Sequence, residues 1–285
     1  MPELAEVEII RRSLEHNLIP GYISVTKCFT DKFFEARNAL RHRITSISRE
    51  GKFLVFGLTD NVYDDEREMI ISLGMTGKLI LSKDKPSDYK HLQAQWVIVQ
   101  KTWDDTQWLS YYDARKFGSI RVVSKGQRDG LIKQLGPDPL EQSFVAITTI
   151  VGQFVMLGRY NKPIKQVLLE QKFAAGIGNY LADEILFRAG IHPETWSSLL
   201  ELEEVEALNK QTVAVVTDAL AHGGNSFSNY VQTDGEPGGF YNHMMVYGRE
   251  GLGCKVCKQK IIIKIKVAGR GTHFCYNCQP KRING

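Results

Sequence analysis

A chain of 285 residues has room for about two domains and a sizeable buried core. Its 43% hydrophobic, 10% aromatic and 24% charged residues are ordinary globular values, which excludes collagen-like, low-complexity and purely coiled-coil architectures. The net charge of +4 hides an asymmetry: residues 254–285 hold eight basic side chains (Lys255, Lys258, Lys260, Lys264, Lys266, Arg270, Lys281 and Arg282) and no acid, leaving residues 1–253 at about −4, a pattern that points to a polyanionic partner.

In chain order, Leu4, Val7, Ile10, Leu14 and Leu18 recur at helical spacing behind Pro2, which predicts a helix over residues 4–18. Glu3, Glu6 and Glu8 stand where a secretory signal would be basic, so a cytoplasmic location is expected. Between residues 24 and 123 the pattern becomes short β-rich runs at 53–58, 69–73, 78–81, 96–99 and 120–123, as in a β-sandwich or barrel. The segment LGPDPLEQSF at 135–144 has two prolines and no periodicity, marking a linker. Beyond it, residues 148–157, 163–171, 179–189 and 203–222 read as helices, and Gly223-Gly224 opens a glycine-rich, aromatic loop to Phe240. The expected division is an N-terminal β domain at 1–135, a linker at 136–147, a helical domain at 148–240 and a cysteine-bearing tail at 241–285, an α+β protein. No apolar run approaches the ~18 residues of a membrane span, and residues 261–267 are interrupted by Lys264 and Lys266, so no membrane association is expected.

Cys254-x2-Cys257 and Cys275-x2-Cys278, seventeen residues apart, allow two tight turns to present four thiolates to one structural zinc ion; two disulfides are the competing account. The alternating residues 261–267 followed by Gly269-Arg270-Gly271 predict a β-hairpin ribbon with its turn at those residues. Cys28 stands alone and reads as an inert thiol. Gly176 and Gly178 precede a helix start, where unpaired backbone N–H groups suit a phosphate, although ordinary turn chemistry explains them equally well. If Met1 is removed, Pro2 presents a secondary amine at a helix N-terminus, where its protonated form is disfavoured. Such an amine can attack an aldehyde-like carbon while the adjacent Glu3 moves protons, and the plainer alternative is a helix start with favourable dipole charges.

Taken together, MPELAEVE, REGKFL (49–54), LGMTGKL (73–79), DARKFG (113–118), LGPDPL (135–140), GIGN (176–179), VYGREG (246–251) and GRGTHFCYNCQ (269–279) resemble the formamidopyrimidine-DNA glycosylase and endonuclease VIII family along essentially the whole chain. The resemblance implies a helix and β-sandwich domain, a helix-two-turn-helix domain with a zinc ribbon, and a monomer bound to damaged duplex DNA. It implies excision of oxidised purines such as 8-oxoguanine and formamidopyrimidines, then cleavage of the abasic site by β,δ-elimination. Pro2 would attack the deoxyribose C1′, Glu3 assist base departure and Glu6 order the site. Lys52 would contact phosphate and donate a proton in β-elimination, and Arg270 would do so in δ-elimination. His91, Asn179, Gly176 and Gly178 would hold the DNA backbone. Met75, Arg115 and Phe117 would fill the gap left by the extruded nucleotide, with Arg115 facing the orphaned base.

Ala5 stands where the family usually has proline, Gln93 where a second histidine is often found, and Tyr180-Leu181 where an Ile-Tyr-like pair is usual. The loop at residues 225–240 resembles the family's base-capping loop only loosely. Two rival readings are oxidised-pyrimidine specificity of the endonuclease VIII type, which the LAEVE start disfavours, and a non-catalytic DNA-binding protein, which retention of Met1 would favour.

Overall fold

The predicted first helix forms over the same residues, α1 (Leu4–Leu18), because its apolar stripe is completely buried, Leu4, Val7, Ile10, Leu14 and Leu18 each being 0% exposed. The computed structural model describes residues 1–60, 65–102, 104–127, 130, 132–226 and 230–281. They form two units, Met1–Lys133 with His222–Tyr241, and Gln134–Ala221 with Asn242–Gly285.

In the first unit, β1 (Gly21–Cys28), β2 (Arg43–Glu50), β3 (Phe53–Asp60), β4 (Asp65–Ser72), β5 (Gly77–Ser82), β6 (Leu92–Val99), β7 (Thr106–Asp113) and β8 (Ser119–Ser124) make one antiparallel sheet. Its order is β5-β7-β6-β1-β2-β3-β4-β8. Bulges at Ile23/Val25, Ile44/Ser46 and Leu92/Ala94 add local twist. The sheet doubles over: the Tyr111 hydroxyl of β7 donates to the Ser72 carbonyl of β4 at 3.4 Å, although four strands separate them in the sheet order. Leu79, Tyr111, Trp96, Ile23, Ile47, Phe56, Ile71 and Ile120 consequently share one core with α1 and with the 3₁₀ segment Asp31–Ala39. The expected sandwich is thus a single sheet closed over its own apolar face.

In the second unit, α2 (Ile147–Arg159), α3 (Ile164–Leu168), α4 (Asn179–Arg188) and α5 (Leu202–Ala221) match the predicted helices, α3 being shorter than residues 163–171. No helix among the described residues is long and apolar enough to cross a membrane. A hairpin of β9 (Ile263–Val267) and β10 (Arg270–Phe274) follows. Its turn is Ala268-Gly269, both at positive φ (47° and 77°) as a two-residue hairpin requires, so Arg270 begins β10 and pairs with Val267 instead of lying in the turn.

Two boundaries differ from the sequence expectation. The proline-rich stretch is attached to the second unit: the Gly136 N–H donates to Gln171 O at 2.8 Å and the Ala175 N–H to Pro137 O at 3.0 Å. His222–Tyr241, of which residues 222–240 were expected in the helical domain, belong to the first unit instead. The Leu81 N–H donates to Thr233 O at 2.8 Å, and Tyr230 joins the first core.

Candidate active site and metal centre

The N-terminus of α1 is fixed by a carboxylate. Glu6 Oε2 accepts the Glu3 N–H at 2.7 Å and Glu6 Oε1 accepts the Asn225 N–H at 2.8 Å, so one buried side chain ties the helix start to the glycine-rich loop. Pro2 and Glu3 are both buried, Glu3 only 3% exposed, whereas Met1 is 50% exposed. Ala5 is completely buried in the first helical turn, where an alanine continues the helix without strain. Part of the resembled capping loop, residues 227–229, lies outside the described residues.

Lys52 sits in the two-residue turn between β2 and β3, because Glu50 pairs with Phe53 and Gly51 adopts φ 58°. Two further loops meet backbone to backbone. At Gly74 (φ 56°) a Cβ would come within 2.6 Å of Gly118 N, and at Gly118 one would collide with the Tyr111 hydroxyl, so only glycine permits the approach. Asp113, 0% exposed, organises both loops. It accepts the Thr76 hydroxyl, the Gly118 N–H at 2.9 Å, the Arg115 N–H at 3.2 Å and the Tyr111 hydroxyl at 3.3 Å. Burial, with Asp113 beside it, pushes the Tyr111 phenol far above its ordinary range, which keeps it a donor. The loops hold Met75 (39% exposed), Arg115 and Phe117 (57% exposed) out of the core, with the Arg115 guanidinium 4.7 Å from the Phe117 ring centre. A core role for Met75 and Phe117 is thereby excluded.

His91 is exposed at φ 65°, a strained position held because its carbonyl accepts the Asp113 N–H at 2.9 Å and Gln93 Nε2 at 3.1 Å. Gln93 is itself buried, donates also to Asp113 O at 3.0 Å and accepts Thr30 Oγ1 at 3.0 Å, a bracing role that a glutamine amide fills with both of its ends. Beside it lies a cavity of about 200 Å³ lined by Thr76, Lys78, Asp88, Lys90, His91 and Tyr112, whose basic groups suit an anion.

In the second unit, Gly178 caps α4, while the Gly176 N–H is taken by Gln171 Oε1 at 2.9 Å and so is not available to a ligand in this conformation. Asn179 Nδ2 donates to Gly271 O at 3.0 Å, and its Oδ1 is buried without a hydrogen-bond partner among the described residues. A network that sequence reasoning missed joins α4 to the hairpin carrying Arg270. Lys165, 0% exposed, donates to Asp183 Oδ1 at 2.5 Å, Thr272 Oγ1 at 2.8 Å and Gly271 O at 3.0 Å, and Asp183 Oδ2 accepts the His273 N–H at 2.8 Å. Glu184 accepts the N–H groups of Met245, Val246 and Tyr247 at 2.8–2.9 Å, although burial still holds its carboxyl above the ordinary range. Arg270 itself is exposed.

The four ribbon cysteines converge. The sulfurs of Cys254, Cys257, Cys275 and Cys278 lie within 4.8 Å of one another, Cys254 to Cys278 at 3.8 Å and Cys257 to Cys275 at 3.7 Å. Four sulfurs placed tetrahedrally about 2.3 Å from one ion would be about 3.8 Å apart, so the donor set fits a metal and is too open for disulfides. Hydrogen bonds from the backbone of Gln259, then Lys260, draw the Cys257 thiol down to about 6, while burial pushes Cys278 up to about 12. Cys28, half-buried, has its thiol raised by burial, in keeping with an inert role.

Comparison with known proteins agrees with this arrangement. Residues 1–120 match the formamidopyrimidine-DNA glycosylase N-terminal domain and residues 135–231 the formamidopyrimidine-DNA glycosylase H2TH domain. Formamidopyrimidine-DNA glycosylases of Bacillus cereus and Bacillus subtilis strain 168 are 35% and 37% identical, over 99% of this chain and the whole of each relative. The MutM (Fpg) protein of Thermus thermophilus superposes with a TM-score of 0.85 at 36% identity, over 99% of this chain and all of that one. Lactococcus lactis Fpg in complex with abasic-site DNA superposes with a TM-score of 0.86 at 33% identity, over 98% of this chain and all of that one. The chain belongs to the formamidopyrimidine-DNA glycosylase family.

Proposed function

We propose that this DNA repair glycosylase excises oxidised purines, 8-oxoguanine and formamidopyrimidines, from duplex DNA and then cleaves the abasic strand. The observation that carries the reading is the arrangement of one unit: a buried Pro2-Glu3 helix start braced by Glu6, with the exposed trio Met75, Arg115 and Phe117 on two loops bound to the same Asp113.

Removal of the exposed Met1 would free the Pro2 amine. Its nitrogen forms a bond to C1′ as the C1′–N bond to the base breaks, and Glu3 supplies the proton on the departing base or opening sugar. Loss of a C2′ proton from the resulting iminium breaks the 3′ C–O bond, and a second elimination breaks the 5′ C–O bond; Lys52 and Arg270 donate to the leaving phosphates in turn. His91 and the α4 start at Gly178 and Asn179 hold backbone phosphates, without the Gly176 N–H, which Gln171 occupies. Met75 and Phe117 replace lost stacking, and Arg115 offers donors to the orphaned base.

The four cysteines would hold one zinc ion, which when bound supplies structure and no chemistry, since four thiolates leave no open coordination position. Its effect is on the hairpin that presents Arg270. A monomer in the cytoplasm completes the proposal.

Single-turnover excision from matched duplexes tests it. Arg115 carries donors only and so suits the acceptors of cytosine better than the donor-bearing edge of adenine. Excision of 8-oxoguanine should be faster opposite cytosine than opposite adenine, Arg115→Ala should erode that difference, and thymine glycol should react slowly. Thymine glycol removed faster than 8-oxoguanine would assign the protein to the endonuclease VIII branch, and equal rates opposite cytosine and adenine would remove the discriminating role from Arg115.

A further inference from the structure

We propose that Arg49, locked to Glu8, is a positioning residue that fixes the peptide plane from which Lys52 projects, and thereby sets the elimination step without touching the DNA. Arg49 lies near the end of β2 with its side chain only 6% exposed. One edge of its guanidinium, Nη1, donates to the Gly51 carbonyl at 3.0 Å, and Nε donates to Glu8 Oε2 at 3.2 Å. The Gly51 carbonyl and the Lys52 N–H belong to the same planar peptide, so holding that carbonyl sets the direction in which the Lys52 side chain leaves the turn.

The other end of the clamp is the helix that begins just after Pro2 and Glu3. Glu8 collects Arg11 Nε and Nη2, each at 3.0 Å, and Arg12 Nε at 2.8 Å, while Arg11 Nη1 also reaches the Ile47 carbonyl of β2 at 3.3 Å. One carboxylate therefore joins α1, β2 and the turn. Burial opposes ionisation of Glu8, but the hydrogen bonds from Arg11 and Arg12 and the nearby Arg49 charge outweigh it and hold the carboxyl below its ordinary value. Excess guanidinium around a buried carboxylate is more than a fold needs to satisfy one acid. Its geometric result is that the turn bearing Lys52 cannot rotate independently of the helix bearing the nucleophile.

Two acceptors in different directions require the planar fork of arginine; a lysine ammonium at the same place would reach one of them at a time. The inference rests on the role given to Lys52 under the proposed function, and the experiment separates the two. In the full-length protein, Arg49→Lys, Arg49→Ala and Glu8→Gln are compared with Lys52→Ala for three single-turnover rates: base release from an 8-oxoguanine duplex, borohydride-trapped adduct on preformed abasic DNA, and strand cleavage of that DNA. In Arg49→Lys, base release and trapping are expected within about twofold of the parent while cleavage falls roughly ten- to a hundredfold, as a misplaced proton donor implies. Arg49→Ala should be no worse than Arg49→Lys in cleavage, and Glu8→Gln, which keeps the side-chain shape, should show the same selective loss in smaller degree. Equal loss of all three rates, loss of none, or rescue of Arg49→Ala by lysine would overturn the clamp. Cleavage lost in Lys52→Ala but kept in Arg49→Lys overturns the clamp alone, whereas cleavage kept in Lys52→Ala overturns the role of Lys52 and the clamp with it.

Discussion

Glu3 and Glu6 stand one helical turn apart and do different work. Glu6 accepts two backbone N–H groups from separate segments and so braces the helix start, whereas Glu3 sits next to Pro2, the proposed nucleophile. Base departure needs proton transfer, but an existing abasic site already offers an electrophilic carbon to Pro2. Glu3→Gln should therefore abolish most 8-oxoguanine excision and retain much of the cleavage of abasic DNA; equal losses in the two assays would make Glu3 structural. At this scale the sequence was most readable where a residue type is unusual for its place, as with Pro2 behind Met1 or four cysteines at ribbon spacing. It was least readable for buried acceptors. Asp113 binds two loops together, yet inside DARKFG an aspartate looks like any turn residue until its four donors are seen.

Elements show the same division. Helix α1 carries an uninterrupted apolar periodicity and strand β3 a continuous apolar run, and both were legible. Strand β2 was not, because the Ile44/Ser46 bulge spaces its buried residues Ile44 and Ile47 three apart, breaking the alternation that identifies a strand. The segment at 222–241 was placed with the helices it follows in sequence, but its long-range hydrogen bonds to β5 and α1 are invisible to local pattern. The ribbon hairpin depends on two supports. One is the completely buried pair Lys165–Asp183 at 2.5 Å; Lys165→Met would leave Asp183 charged and without its cation, and is expected to lower the stability of the second unit by about 3–5 kcal/mol in denaturant titration. A loss below about 1 kcal/mol would show that the two His273 contacts of Asp183 suffice. The other support is the metal. One zinc per chain is expected by elemental analysis, and Cys254→Ser or Cys278→Ser should lose the ion and with it binding to abasic-site duplex; preserved affinity in a metal-free variant would make the ribbon dispensable. Because thiols such as the half-buried Cys278, which desolvation pushes up, must lose a proton to ligate, chelators should strip the ion more readily as the pH falls.

At the scale of the molecule, each unit carries its own share of the proposed site: the first holds Pro2, Glu3, Lys52 and the loop trio, the second the α4 start, Arg270 and the four cysteines. The basic stretch 254–285 lies in the second unit, whose other residues are net acidic, so the charge asymmetry read from the sequence falls within one unit and not between the two. The proposed mechanism turns on one bond, that between the Pro2 nitrogen and C1′ of the damaged nucleotide. Borohydride reduction during reaction with 8-oxoguanine duplex, followed by peptide mapping of the trapped adduct, reads that bond directly. The predicted result is a covalent adduct on the N-terminal peptide, at Pro2 of chains that have lost Met1. An adduct on a lysine, or none from protein that is cleaving DNA, would contradict the mechanism.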